Sequence, residues 1–278
     1  VNNASAQDQL VSVIISAYKR HDYLAVTLRS ILAQTHANLE VLVVADGHDP
    51  LIESLVRDLE DPRVGYYFTE HAGFPAVPRN EGLRRATGQL LAFCDDDDLW
   101  DATKLEVQIP VLLAGNYGMC TSDFRYVDQD GQALPDEDWH AKYFGEIDWK
   151  MLFHSMGFVC NAAVLFSREV YERVGELNED PQLRAHEDTE YWLRVLHAAN
   201  GYFIPQQLVS YRVHQGSIQK NSAWRVFQSR VVFHRSLRRT LPITHNDYWR
   251  KYAKLWFHLL CDGWSPAKRL LKRMQSRG

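Results

Sequence analysis

Apolar positions along the first hundred residues follow two rhythms in turn. Residues 10–17 form a short, nearly continuous apolar and β-branched run, the composition of a strand buried on both faces. Asp22 then stands where a helix N-cap belongs, and Leu24, Leu28, Ile31 and Leu32 share one face of a helix reaching about Gln34. The strand pattern returns at 39–45, 64–68 and 90–94. Between these runs, helices are predicted over 51–59, after Pro50, and over 78–86, closed by Gly88. A β-α-β-α order of this kind predicts an α/β fold: a Rossmann-like, mainly parallel sheet flanked by helices.

Beyond residue 115 the pattern is more broken. Asp128, Gln129, Asp130 and Gly131 spell a tight turn, read as a hairpin. Residues 139–148 mix aromatics and charge, as a loop over a site would. Residues 161–166 are another apolar run, 187–199 a helix with Tyr191, Trp192, Val195 and Leu196 on its apolar side, and 208–213 a last strand. From Ala223 onward the patterns are helical: Trp249, Tyr252, Trp256, Leu259 and Leu260 recur at helical spacing, and Ser265-Pro266 opens a final helix. Two parts are therefore expected, a body over 1–222 and a C-terminal helical extension over 223–278.

Composition adds little until it is divided along the chain. The 278 residues are 46% hydrophobic and 24% charged, an ordinary globular balance, with net charge −4. Residues 223–278 hold 13 Lys/Arg against two Asp/Glu, while 1–222 hold 18 against 33. An acidic body thus carries a basic tail, suited to an anionic membrane surface, an anionic acceptor, or packing on the body or another subunit as in a homo-oligomer. Nucleic acid is not expected, because the body is acidic and carries no reading motif. No apolar stretch approaches the ~20 residues of a membrane helix, and the polar start, residues 1–9, does not read as a signal peptide. Cys94, Cys120, Cys160 and Cys261 fit no zinc spacing and read as reduced thiols, which suits a cytoplasmic protein.

The candidate chemistry sits where strands end. In open α/β sheets ligands bind beyond the carboxyl ends of the strands. Those ends here are Ser16-Ala17-Tyr18, Asp46-Gly47, and the consecutive Asp95, Asp96, Asp97 and Asp98. Four adjacent carboxylates repel one another, so a positive partner is expected beside them, and a hard divalent cation such as Mg²⁺ or Mn²⁺ is the natural one. The plainer alternative is a solvated acidic turn with Asp98 or Asp101 capping the next helix. Neither G-x-G-x-x-G after the first strand nor G-x-x-x-x-G-K-[ST] is present, which argues against a dinucleotide fold or a P-loop.

Taken in order, six segments resemble family 2 glycosyltransferases of the GT-A fold. They are Val13 to Tyr18, then Val43-Val44-Ala45-Asp46-Gly47, Pro78-Arg79-Asn80-Glu81-Gly82, and Phe93 to Trp100 with its D-x-D. His186-Glu187-Asp188 with Tyr191-Trp192-Leu193-Arg194 follows, and then Tyr211-Arg212-Val213-His214 with Ser217. The resemblance covers about residues 10–220. Ala45 stands where an acid is commoner and Pro78 where alanine is commoner. The Q-x-x-R-W signature of processive members is absent, which favours single additions.

The resemblance implies a metal-dependent, inverting transfer of a sugar from a nucleotide-sugar, most often UDP-linked, to a carbohydrate or lipid-linked acceptor. Assembly of cell-surface polysaccharide or glycolipid at the inner face of the membrane is the implied setting. It assigns Ala17, Tyr18, Asp46, Arg79, Asp95 and Asp96 to the nucleotide. Asp97 and His214 go to a Mn²⁺ or Mg²⁺ ion, Asp188 to general-base catalysis, and Glu187, Arg212 and Ser217 to the surrounding shell or the diphosphate. A single base suffices for one inverting displacement, unlike the carboxyl pair of a glycosidase. Two rival readings are a phosphatase of the haloacid-dehalogenase type, whose D-x-D normally lies on the first strand, and a non-catalytic sugar- or metal-binding module of the same fold.

Overall fold

The computed structural model describes residues 6–134, 144–155, 158–213 and 223–243. The chain divides into two compact units, Val1–Phe233 and His234–Gly278.

The first unit is built on one nine-stranded sheet. Its first half joins β1 (Val11–Ala17), β2 (Leu39–Asp46), β3 (Val64–Thr69) and β4 (Leu90–Asp95) in the order β3-β2-β1-β4, all parallel. The helices between them are α1 (His21–Leu32), α2 (Pro50–Asp58) and α3 (Ala76–Arg85). β1 and β4 are buried almost throughout, as continuous apolar runs between two helical layers must be. The second half is mixed. β8 (Leu165–Ser167) runs antiparallel to both β4 and β6 (Met119–Val127), and β6 lies parallel to β9 (Gly201–Arg212). Two short strands, β5 (Leu99–Trp100) and β7 (Gly145–Ile147), pair with β9. α4 (Lys104–Ala114), α5 (Trp149–Ser155), α6 (Arg168–Val174) and α7 (Glu187–Ala198) complete this part.

Local chemistry moves several boundaries from their expected places. α1 begins at His21 with Arg20 at its N-cap, so Asp22 lies in the first turn and caps nothing. α2 starts at Pro50 itself, and Asp49, which the sequence reading did not single out, caps it with its carboxylate accepting from the Leu51 and Ile52 N–H groups. α3 starts two residues before Pro78. Asp98 is buried and is no cap, while Asp101 accepts from the Thr103 N–H just ahead of α4. The predicted hairpin is present: Val127 bridges Ala133, and Gly131 N–H returns to the Asp128 carbonyl. Within the aromatic-rich 139–148 segment, residues 145–147 form a strand rather than loop, and 139–143 lie outside the described residues.

α3 lies close against β1 because of Gly82. A Cβ there would stand 2.3 Å from an Ile14 methyl, and only glycine avoids that clash. Cys94, Cys120 and Cys160 are free and buried. α8 (Ala223–Thr240) begins the extension. In the second unit Leu237 and Leu241 are buried. Trp249, Trp256, Cys261 and the helix from Ser265 lie outside the described residues. No helix among the described residues is long and apolar enough to cross a membrane.

Candidate active site

The parallel half of the sheet gathers its carboxyl ends at one edge: Ser16 pairs with Asp95, Ala17 with Ala45, and Asp46 with Thr69. A cleft of about 1000 Å³ opens there, and α7 supplies Glu187, Asp188 and Thr189 to its wall. Ala17, Tyr18, Asp46, Arg79, Asp95, Asp96, Asp97, Glu187 and Asp188 all line it. His214 and Ser217 lie outside the described residues.

Asp46 shapes the far end. Its two carboxylate oxygens accept from the Ala72 N–H at 2.6 Å and the Gly73 N–H at 2.8 Å, and His71 Nδ1 stands 3.2 Å away. Gly47 turns the chain with φ +96°, a region that favours glycine. The same loop puts the His71 ring parallel to Tyr18, centroids 5.0 Å apart and planes inclined by 12°. Tyr18 is exposed, so the stacked pair offers an aromatic surface beside a carboxylate. His71 had no sequence signal, because it follows β3 in a loop without pattern.

The four aspartates have four different fates. Asp95, at the end of β4, accepts from Arg79 Nη2 at 2.6 Å. Asp96 is buried, holds the Tyr18 N–H at 2.8 Å and pairs with Arg20 Nη1 at 2.9 Å. Burial pushes the Asp96 carboxyl up to about 7, although the Arg20 charge opposes the shift. Asp97 faces the cleft and also bonds to Arg20 Nη1. Asp98 points inward: its Oδ1 accepts from the Arg212 N–H at 3.0 Å, and its Oδ2 has no hydrogen-bond partner among the described residues. Burial, with the charges of Asp97 and Asp95 added, lifts the Asp98 acid well above the ordinary carboxylate range.

Three arginines manage this charge. Arg79 is fully buried and bridges Asp95 to Glu187, the latter at 3.4 Å. Burial works against its charge, but Asp95, Glu187 and Asp188 outweigh that and raise it further. Arg79 is therefore not a surface charge: it lines the cleft with its guanidinium engaged by Asp95 and Glu187. Arg212 donates from Nε to the Asp97 carbonyl at 2.9 Å and from Nη1 to the Gln129 carbonyl at 2.7 Å, with its guanidinium over the Tyr23 ring. It holds the backbone under Asp97 rather than presenting charge to the cleft. Arg20 is the cation that sequence reasoning missed; a basic residue just past the first strand, facing an acidic strand end, was the available signal.

Asn80 of the Arg-Asn-x-Gly segment is a clamp: its amide exchanges hydrogen bonds with the Leu177 N–H and carbonyl and with Glu179. That fixes the approach to α7. Glu187 is buried, and burial with the neighbouring Asp188 charge pushes its carboxyl up to about 7 against the pull of Arg79. Asp188 is half-buried at the cleft wall, with Oδ1 accepting from the Thr189 N–H at 2.5 Å. Acids in a helix's first turn are also favoured by the helix dipole.

Hard carboxylate oxygens on the cleft side suit a divalent cation. Among the described residues no group of three or more His, Cys, Asp or Glu is arranged around one point. Asp97 and Asp95 are what the described chain offers. One or two carboxylates, with substrate phosphates completing the shell, is the usual protein share for Mg²⁺, so the residues fit such an ion.

The profile of glycosyl transferase family 2 matches residues 12–175. TuaG of Bacillus subtilis, ascribed to teichuronic acid biosynthesis, is 29% identical over 248 residues, covering 88% of this chain and 95% of TuaG. Escherichia coli WfgD, named a UDP-Glc:α-D-GlcNAc-diphosphoundecaprenol β-1,3-glucosyltransferase, is 30% identical over 223 residues, 77% of this chain and 81% of WfgD. Several Rickettsia relatives are longer, and the chain spans 20% to 34% of their length. Among solved structures, the mannosyltransferase PcManGT from Pyrobaculum calidifontis, in complex with GDP-Man and Mn²⁺, superposes with TM-score 0.66 at 19% identity, over 96% of this chain and 79% of that one. The fold is GT-A, as the resemblance of the six segments implies.

Proposed function

Because the chain belongs to glycosyl transferase family 2 and is a glycosyltransferase, we propose that it moves one sugar from a UDP-sugar to a hydroxyl of a lipid-linked carbohydrate in cell-surface polysaccharide assembly. The transfer is inverting and metal-dependent. The observation that carries this reading is the placing of Asp188 in the same cleft as Asp95 and Asp97, so that an acid–base group and a phosphate-side acidic pair share one space. WfgD supports the donor and acceptor classes, since its name specifies UDP-Glc and a diphosphoundecaprenol-linked sugar.

In this mechanism the base and ribose lie between the Tyr18–His71 surface and Asp46. Asp188 takes the proton from the acceptor hydroxyl as that oxygen attacks the anomeric carbon, a contribution typically of about 10²–10⁴ in rate. The Arg79 bridge from Asp95 to Glu187 ties the donor side of the cleft to the first turn of α7 and so fixes Asp188 relative to the donor. Asp97 and Asp95, with His214 assigned from sequence, would hold a Mn²⁺ or Mg²⁺ ion, which would supply Lewis-acid stabilisation of charge on the leaving diphosphate. The basic 223–278 segment contacts the anionic inner face of the membrane that carries the acceptor.

Asp188→Asn tests the reading. It is expected to bind nucleotide as the wild type does and to lose transfer. Transfer within a few-fold of wild type contradicts it. For the tail, sedimentation with anionic liposomes is expected to weaken on truncation at Trp264, and equal binding removes the last helix from the membrane contact.

A further inference from the structure

We propose that Arg20 is a built-in counter-ion of the cation site: a divalent metal competes with its guanidinium for Asp97, and Arg20, once displaced, turns to the donor's diphosphate. The inference rests on the metal-dependent reading above and deepens it.

Arg20 Nη1 bonds to both Asp96 Oδ1 and Asp97 Oδ2. Asp97 is the carboxylate assigned to the metal, and a guanidinium and a dication held by one carboxylate repel each other. Occupancy by one therefore weakens the other. The two aspartates differ in what they can do next. Asp96 is buried and pinned on its other oxygen by the Tyr18 N–H, so it can keep its bond to Arg20 while Asp97 is released. The movement required is a pivot about Asp96. Arg79 and Arg212 have no such freedom, since both are buried and tied on several sides. The Arg20 side chain keeps 29% exposure and lines the cleft, into which a diphosphate would bring new anionic oxygens. Guanidinium pairs with phosphate through parallel hydrogen bonds, which gives the released group a better partner than water. Metal and nucleotide then favour each other's binding through one side chain, a coupling in the thermodynamic sense.

Electron paramagnetic resonance of free Mn²⁺, titrated with the full chain, reads this without any assay of transfer. Arg20→Ala is expected to bind Mn²⁺ alone at least tenfold tighter than wild type, because the competitor is gone. Adding UDP, and in a parallel arm GDP, is expected to tighten Mn²⁺ in the wild type at least fivefold more than in Arg20→Ala. Arg20→Lys, which keeps the charge, should hold Mn²⁺ weakly again. Should Arg20→Ala lose the native circular dichroism, Arg20→Gln removes the charge while keeping a donor for Asp96 and carries the same expectation. Unchanged or weaker Mn²⁺ binding by the folded, charge-free variant overturns the proposal. Asp97→Asn separates the two claims: if it binds Mn²⁺ as wild type does, the metal reading itself fails. If it weakens Mn²⁺ while Arg20→Ala does not tighten it, only the counter-ion assignment fails.

Discussion

Arg79 and Asp95 form a 2.6 Å ion pair whose guanidinium side is closed to water. The pair spans from α3 to the end of β4, and through Glu187 it reaches α7. Three elements that meet at the cleft are thus joined by one cation.

Removing that cation strands two carboxylates. Arg79→Ala is expected to lose about 3–5 kcal/mol of stability, the usual cost of breaking a buried pair from one side. Urea denaturation checks it; a loss below about 1 kcal/mol would mean that the pair is not the brace described.

Gly82→Ala drives a methyl into Ile14. Overpacking of this kind costs about 1–3 kcal/mol, and because α3 carries Arg79, nucleotide affinity should fall with stability. Thermal melting and nucleotide titration on the same variant test both parts. Wild-type values in each would show that α3 can shift freely away from β1.

Glu187 makes stability depend on pH. Its folded carboxyl is pushed up to about 7, above the ordinary value of about 4.3. The folded chain therefore keeps a proton that the unfolded chain has released, and this contribution is full below about 4.3 and is lost as pH rises to about 7. Glu187→Gln should flatten the fall in stability between pH 5 and pH 7. Parallel pH profiles for variant and wild type, from urea midpoints, would contradict the assignment.

Asp46 builds the loop that carries His71. Asp46→Ala leaves the Ala72 and Gly73 N–H groups without their acceptor, at a net cost of about 0.5–1.5 kcal/mol per hydrogen bond, and should weaken nucleotide binding. Asp46→Asn keeps an acceptor oxygen and should recover part of both. Equal nucleotide affinity in all three proteins would remove Asp46 from the binding surface.

How far the sequence could be read depended on the range of the interactions. The parallel core was legible because each element declares itself within a dozen residues: continuous apolar runs for β1, β2 and β4, helical spacing for α1, and Pro50 for the start of α2. The acidic quartet was legible as a feature, but its members were told apart only through the resemblance and not by their partners. What sorts Asp95, Asp96, Asp97 and Asp98 are arginines brought from distant places, Arg20 from 77 positions before Asp97 and Arg212 from 114 after Asp98. Local pattern holds no trace of such partners. β5 and β7, of two and three residues, are too short to show a period, and β9 extends back to Gly201 through Pro205 and the exposed Gln206, which interrupt the apolar run. The Arg-Asn-x-Gly segment was recognisable by resemblance, yet its physical reasons, a bridging cation, a backbone clamp and a close helix–strand contact, required the fold.

The central claim is that the acidic strand ends form a metal-dependent nucleotide-sugar site. Calorimetric titration of UDP, dTDP, GDP and CDP, each with and without Mn²⁺, on the wild type and on Asp97→Ala, tests it most directly. The account predicts that UDP binds in the presence of Mn²⁺, and that removal of the metal or of the Asp97 carboxylate weakens it. Binding of UDP that ignores both, or no binding of any nucleotide, would contradict it.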